Sequence, residues 1–176
     1  MVKKCCLLVA LLLPPSAVGS PWRVCVTDTS ELLTAPVRGA AMREFHALLG
    51  AQGAALSFKK CPAGGSRVDL LITDEPPRGL EGVLGLARRA GQTIEPPLQV
   101  FYDGALVRHL GRPGKAEALG RALARVAAHE TAHLLQQQAA HCAHGLLQST
   151  LPAYELLAAD PAPFFLDAHC AHRASD

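Results

Sequence analysis

The stretch ALARVAAHETAHLLQQQ, residues 122–138, closes a run of good helix formers that begins at Lys115. Because Ala, Leu, Arg, Glu and Gln dominate the run and no Pro interrupts it, the composition predicts a helix over 115–138. His129 and His133 are four positions apart and therefore lie one turn apart on the same helix face. Two imidazoles placed in this way can bind one Zn²⁺ at about 2.0–2.1 Å. The stretch therefore predicts a metal site at the end of a helix.

The segment from His129 to His133 is an HExxH motif, in which Glu130 follows the first His. This neighbouring position places the carboxylate to one side of the metal, where it is a poor ligand but a good proton acceptor. Bound zinc lets water ionise near pH 7, so Glu130 can take a proton from that water and pass it to a leaving amine. The pattern predicts Glu130 as a general base; the alternative is a helix with two ordinary polar-face His residues.

A catalytic zinc site needs a third protein ligand, and three candidates follow the motif. His141 comes eight residues after His133, and His144 comes eleven after it. Glu155 lies in a later helical stretch, where a gluzincin-type site would place its glutamate. We predict His141 as the third ligand and keep His144 and Glu155 as alternatives.

The first 19 residues have the pattern of a secretory signal peptide. Lys3 and Lys4 precede the apolar run from Cys5 to Leu13, and Ala17-Val18-Gly19 supplies small residues before a cut after Gly19. The apolar run is shorter than the roughly 20 residues that a transmembrane helix needs. We expect a secreted or periplasmic protein with no stable membrane span after cleavage; an uncleaved anchor is the alternative.

The remaining residues, 20–176, suit one domain, with an upper part over about 20–138 and a lower part over about 139–176. Without Lys3 and Lys4, the 17 Lys and Arg fall to 15, which equals the 15 Asp and Glu. A neutral chain with no basic run carries no sign of nucleic-acid binding. We expect a monomer whose partner is a peptide or protein substrate.

Four cysteines lie outside the predicted signal: Cys25, Cys61, Cys142 and Cys170. An even number in an exported chain suggests two disulfides. Three pairings are possible, and we favour Cys25–Cys61 with Cys142–Cys170 because each pair falls within one half of the chain. The alternative, a Cys-assisted metal site, lacks any CxxC spacing.

Hydrophobic patterning predicts an α+β fold with the order β-α-β-β-β-β-α and a loop-rich tail. The sheet is expected to be mixed and mostly parallel, backed by two helices, with a small irregular C-terminal subdomain and a cleft between the two parts. The fourth strand contains a Gly, which suits an edge strand. The fifth is a single strand or a hairpin turning at Asp103-Gly104. The predicted strands are 22–27, 55–61, 68–73, 83–89 and 98–109, and the predicted helices are 36–50, 115–138 and a short 153–159.

This arrangement resembles the metzincin clan of zinc peptidases, and more closely small secreted bacterial proteins with an HExxH-x7-H-x3-G-L-[ML] pattern. Here the pattern continues from the HExxH motif through His141 to Gly145-Leu146-Leu147. The resemblance covers 122–157 by motif and most of the chain by element order. It implies zinc, peptide-bond hydrolysis by metal-activated water, His141 as third ligand and Leu147 in the position of the Met of the metzincin Met-turn.

Three features depart from the metzincin pattern. Gln136-Gln137-Gln138 occupies the place of a helix-ending Gly, and the third His comes two residues late. Leu147 replaces a Met that is not a ligand. A turn through Ala139-Ala140 is one way to replace the missing Gly. These departures keep open a second function, a non-catalytic exported zinc-binding domain, although retained Glu130 favours catalysis.

Tyr154 follows the Leu147 region and has two interpretations. Its hydroxyl could stabilise a developing oxyanion beside the metal. Otherwise it is an aromatic residue buried on a short helix, which is the interpretation we favour.

Overall fold

A computed structural model describes residues 21–29, 33–61, 66–74, 76–80, 82–101 and 115–166. The expected element order is confirmed. The strands are β1 (Trp22–Asp28), β2 (Ala54–Ser57), β3 (Arg67–Thr73), β4 (Gly85–Ala90) and β5 (Thr93–Phe101). The helices are α1 (Ala35–Leu49), α2 (Ala116–Gln136) and the short α3 (Ala153–Leu157), with single 3₁₀ turns at Gly50–Gln52 and Ala162–Phe164.

The five strands form one sheet in the order β2-β1-β3-β5-β4. Strand β1 is parallel to β2 and β3, and β3 is parallel to β5, whereas β4 is antiparallel to β5. The sheet is therefore mixed and mostly parallel, as predicted. The Gly-containing strand β4 is an edge strand, also as predicted.

Strand β5 starts earlier than the sequence suggests, at Thr93 rather than near Leu98. Pro96 and Pro97 lie inside it and hide the strand signal, since Pro has no backbone N–H to donate. The ladder to β4 shifts register between Leu86 and Arg88, opposite these prolines. The proposed hairpin at Asp103-Gly104 lies outside the described residues.

Helices α1 and α2 pack against each other and cover the sheet, with α1 contacting β2 and α2 contacting β4 and β5. Gly120 makes this helix pairing possible. A Cβ at Gly120 would lie 2.5 Å from the Val37 carbonyl oxygen and 2.6 Å from the Ala40 Cβ. Since cores are close-packed, the absence of a side chain at Gly120 sets how near the helices come.

The predicted Cys25–Cys61 disulfide is present and ties β1 to the segment after β2. Cys142 is also disulfide-bonded, and Cys170, its expected partner, lies outside the described residues. Strand β2 ends at Ser57, so the predicted strand over 55–61 is too long by several residues. Cys25 itself stays in the ladder, paired with Ser57 of β2 and Asp69 of β3.

The predicted signal peptide, 1–19, lies outside the described residues. Among the helices in the described ranges, none combines the length and apolarity that crossing a bilayer requires.

Candidate metal centre

Three imidazoles meet at the C-terminal end of α2. One ring nitrogen each from His129, His133 and His141 lies within 4.8 Å of the other two. The Nε2 atoms of His129 and His133 are 3.0 Å apart. Nitrogens bound to one tetrahedral zinc ion are about 3.4 Å apart. The cluster can therefore close on a single ion, with the exposed His141 ring as the side chain freest to adjust.

Backbone carbonyls fix the two helical imidazoles from behind. The Nδ1–H of His129 donates to the Leu146 carbonyl oxygen at 2.7 Å, and the Nδ1–H of His133 donates to that of Gln138 at 2.5 Å. A proton on each Nδ1 leaves Nε2 as the lone-pair nitrogen that faces the cluster. This support of a ligand's outer nitrogen is typical of metal-binding His.

Burial keeps these imidazoles neutral. It lowers the pKa of His129 to about 4, with a further lowering from His133 and an opposing effect of the Leu146 carbonyl. Burial also lowers the pKa of His133, against the Gln138 carbonyl. Neutral imidazole is the form that binds metals, and it suits zinc, copper, iron and nickel alike. The three residues could hold a metal ion, and the donor set indicates a transition metal.

The chain leaves α2 at Gln137 rather than through Ala139-Ala140. Gln137 adopts a left-handed conformation with φ of 52°, and its N–H caps the helix. Gly is the usual residue there, because a Cβ disfavours positive φ. The Gln137 side chain offsets this by hydrogen bonding to Ile94 and Leu134. The turn brings the Gln138 carbonyl under His133 and directs the chain to His141.

Glu130 follows His129 in α2, and its carboxyl group is buried against the edge strand β4. Burial raises the pKa of Glu130 to about 8, and a hydrogen bond from the Ala87 backbone opposes this rise. Gly85 makes room for the carboxyl group, because a Cβ there would overlap Glu130 Oε1. Ala87 lies where the β4–β5 register shifts, so the bulge and the Gly together seat the carboxylate.

A cavity of about 430 Å³ opens over the His cluster and Glu130. Strand β4 forms one wall, and the segment 148–151 after the Leu146-Leu147 pair forms the opposite wall. The cavity thus lies between the upper and lower parts of the chain, where the sequence predicts a cleft.

The remaining candidates lie away from the cluster. His144 is exposed, and the Glu155 carboxylate accepts hydrogen bonds from Gln148 and Tyr154. Among the described residues, neither joins the three-His group. Tyr154 is 74% exposed, so its prediction as a buried aromatic is wrong, and it does not line the cavity. Leu147 is buried, like its neighbour Leu146.

Sequence reasoning missed one functional-site neighbour, Arg125. Its side chain is fully buried and forms an ion pair with Glu44, Nε to Oε1 at 2.7 Å. Arg125 comes four residues before His129, and so lies on the same helix face as the two helical His. The spacing of 125, 129 and 133 was the available signal, since an Arg in an apolar helix face needs a buried partner.

No protein-family model, no curated protein and no solved structure matches this chain.

Proposed function

We propose that the protein is a zinc-dependent metallopeptidase of metzincin-like type, with zinc held by His129, His133 and His141. The observation that supports this most is that the three imidazoles and the Glu130 carboxyl group line the same cavity. Each of the three imidazoles has a ring nitrogen within 4.8 Å of the other two, and a buried carboxyl group lies beside them without joining the group. A site built only to bind metal has no use for that carboxyl group.

Under this proposal, the metal ion, Glu130 and the residues around Glu130 have separate roles. Zinc, when bound, supplies a Lewis acid that polarises a carbonyl group and acidifies water. The positive charge of a bound zinc ion would favour the ionised form of Glu130. The ionised carboxylate takes the proton of the attacking water and delivers it to the departing amine nitrogen. The Ala87 hydrogen bond and the close wall at Gly85 hold the carboxylate in one place for both transfers.

Strand β4 is suited to orient the substrate. It is the edge strand beside the cavity, and its residues Gly85, Leu86 and Ala87 line the cavity. An extended peptide can add to such an edge through backbone hydrogen bonds, which are independent of side-chain sequence. We infer that the substrate is an extended peptide segment lying along β4.

We also propose that the protein works outside the reducing cytosol. Disulfides persist in oxidising compartments and are rare in the cytosol. The Cys25–Cys61 bond supports the export that the N-terminal pattern predicts.

The second candidate is a non-catalytic exported domain that keeps zinc for binding or structure. The loss of the helix-ending Gly and the Leu147 replacement favour it. The burial of Glu130 disfavours this candidate. Desolvation of a carboxyl group lowers stability, and a domain that only binds zinc gains nothing from the group in return.

The test compares wild type with Glu130→Gln in zinc content and in cleavage of a mixed peptide library, with and without a chelator. We expect one zinc per chain in both, and a loss of cleavage rate in Glu130→Gln of about 10²–10⁴-fold. Glu117→Gln is the matched control, since Glu117 is an exposed acid on the same helix. Full activity in Glu130→Gln would contradict the assignment, and zinc without any cleavage would favour the binding domain.

A further inference from the structure

Arg125 holds together three parts of the molecule. Its Nε donates to the Glu44 carboxylate of α1, and its remaining nitrogens donate to the carbonyl oxygens of Glu155, Leu156 and Asp160. Its guanidinium also lies 4.7 Å from the ring centroid of Phe164. The Arg125 side chain is 0% exposed, so the guanidinium itself is shielded from solvent.

The segment that Arg125 holds leads back to the His cluster. The Phe165 carbonyl, next to Phe164, accepts the Leu146 N–H at 2.8 Å. The Leu146 carbonyl in turn accepts the Nδ1–H of His129 at 2.7 Å. A continuous set of contacts therefore runs from Arg125 through the lower part to the imidazole one turn further along α2.

The same segment sets the position of His141. The N–H of Cys142 donates to the Leu147 carbonyl at 2.8 Å, which closes the turn between them. His141 precedes Cys142 directly, so its backbone follows the placement of this turn. Gly145, with φ of 81°, packs against the Phe165 carbonyl, which leaves no room for a side chain there.

We propose that Arg125 is a positioning residue for the metal site: it fixes the 142–166 segment on α2 so that His141 meets the two helical imidazoles. The inference rests on the metal-binding part of the proposed function and not on catalysis. A guanidinium is suited to this task because its planar fork can donate to several acceptors at once, which a lysine ammonium on a flexible stem does less well.

The alternative is that the Arg125–Glu44 ion pair only stabilises the core. A positioning role and a purely stabilising role predict different effects on zinc affinity. If Arg125 acts through His141, its replacement weakens zinc binding only while His141 is present. If it acts only on overall stability, the losses in zinc affinity from the two changes multiply. A double-mutant cycle on zinc affinity separates these cases.

The experiment measures zinc dissociation constants by chelator competition for wild type, Arg125→Met, His141→Ala and the double variant. We expect Arg125→Met to weaken zinc binding by about 10–100-fold, as removal of supporting groups around metal ligands does. In the His141→Ala background, the same change is expected to add about threefold or less. Arg43→Met, which removes the exposed Arg43–Glu117 pair between the same two helices, should leave affinity within about twofold.

Losses that multiply, or a folded Arg125→Met with wild-type affinity, would overturn the inference. If Arg125→Met does not fold, Arg125→Lys decides: it keeps the charge opposite Glu44 and should still weaken zinc binding in the His141-dependent way. Wild type that binds no zinc would end both proposals, whereas the expected affinities without peptide cleavage would remove only the peptidase.

Discussion

The side chain of Gln137 pairs with the backbone of Ile94 in β5 as a neighbouring strand would. Its Oε1 accepts the Ile94 N–H at 2.8 Å, and its Nε2 donates to the Ile94 carbonyl at 3.1 Å. This pairing anchors the end of α2 to the sheet at the residue where the helix turns left-handed. A residue with an unfavourable φ is thereby held in place by contacts that Gly could not make.

We expect Gln137→Ala to destabilise the protein by about 2–3 kcal/mol, because it leaves the Ile94 backbone groups unpaired and keeps the positive φ. Gln137→Gly loses the same hydrogen bonds but relieves the strain, so it should be about 1 kcal/mol more stable than Gln137→Ala. Urea unfolding measures both. Equal stability of the two variants would show that φ strain at Gln137 is negligible.

If the protein is the zinc peptidase that we propose, Gly85→Ala should impair catalysis more than zinc binding. The new Cβ would overlap Glu130 Oε1, so the carboxyl group or β4 must move, whereas none of the three atoms nearest to that Cβ belongs to a His residue. A misplaced base lowers kcat, by about 10²-fold for a displacement near 1 Å. Peptide-cleavage kinetics and zinc titration check this.

Gly39→Ala is the matched control for that change, since a Cβ at Gly39 meets only the Arg43 side chain at 3.6 Å. It should keep both kcat and zinc affinity. Loss of zinc in Gly85→Ala would show that β4 supports the ligands as well as the base.

Glu44→Gln should destabilise far more than removal of the exposed ion pair between the same helices. It leaves the buried Arg125 charge without its counter-ion, which typically destabilises by about 3–5 kcal/mol. Arg43→Met removes a solvent-exposed pair and should change the free energy of unfolding by about 1 kcal/mol or less. Denaturant titration of both variants gives the comparison; similar values would indicate that solvent reaches Arg125.

Removal of the Cys25–Cys61 disulfide should lower the free energy of unfolding and leave zinc affinity unchanged. The bond spans 36 residues, and the double Ala variant is expected to lose about 3–4 kcal/mol by the chain-entropy relation. Zinc affinity of the folded fraction should stay unchanged, because the bond ties β1 at the side of the sheet remote from β4. A parallel fall in zinc affinity would mean that β1 and the metal centre are coupled.

The element order was predictable because each element carries its own periodic signal. Strands β1, β2 and β3 show short β-rich or apolar runs, and α1 and α2 show helical spacing. The predicted start of strand β5 is too late along the chain because Pro96 and Pro97 interrupt its pattern. The β4–β5 pairing around those prolines depends on a register shift that no local pattern specifies.

The sequence by itself determined the pairing of His129 with His133 and the place of Glu130 between them, since helix geometry fixes positions four residues apart. Tertiary structure alone decided that His141, rather than His144 or Glu155, meets them. That choice depends on contacts far apart in sequence, from Arg125 to Phe164 and from Leu146 to His129. Such contacts arise from packing of the whole chain, and no short stretch of residues records them.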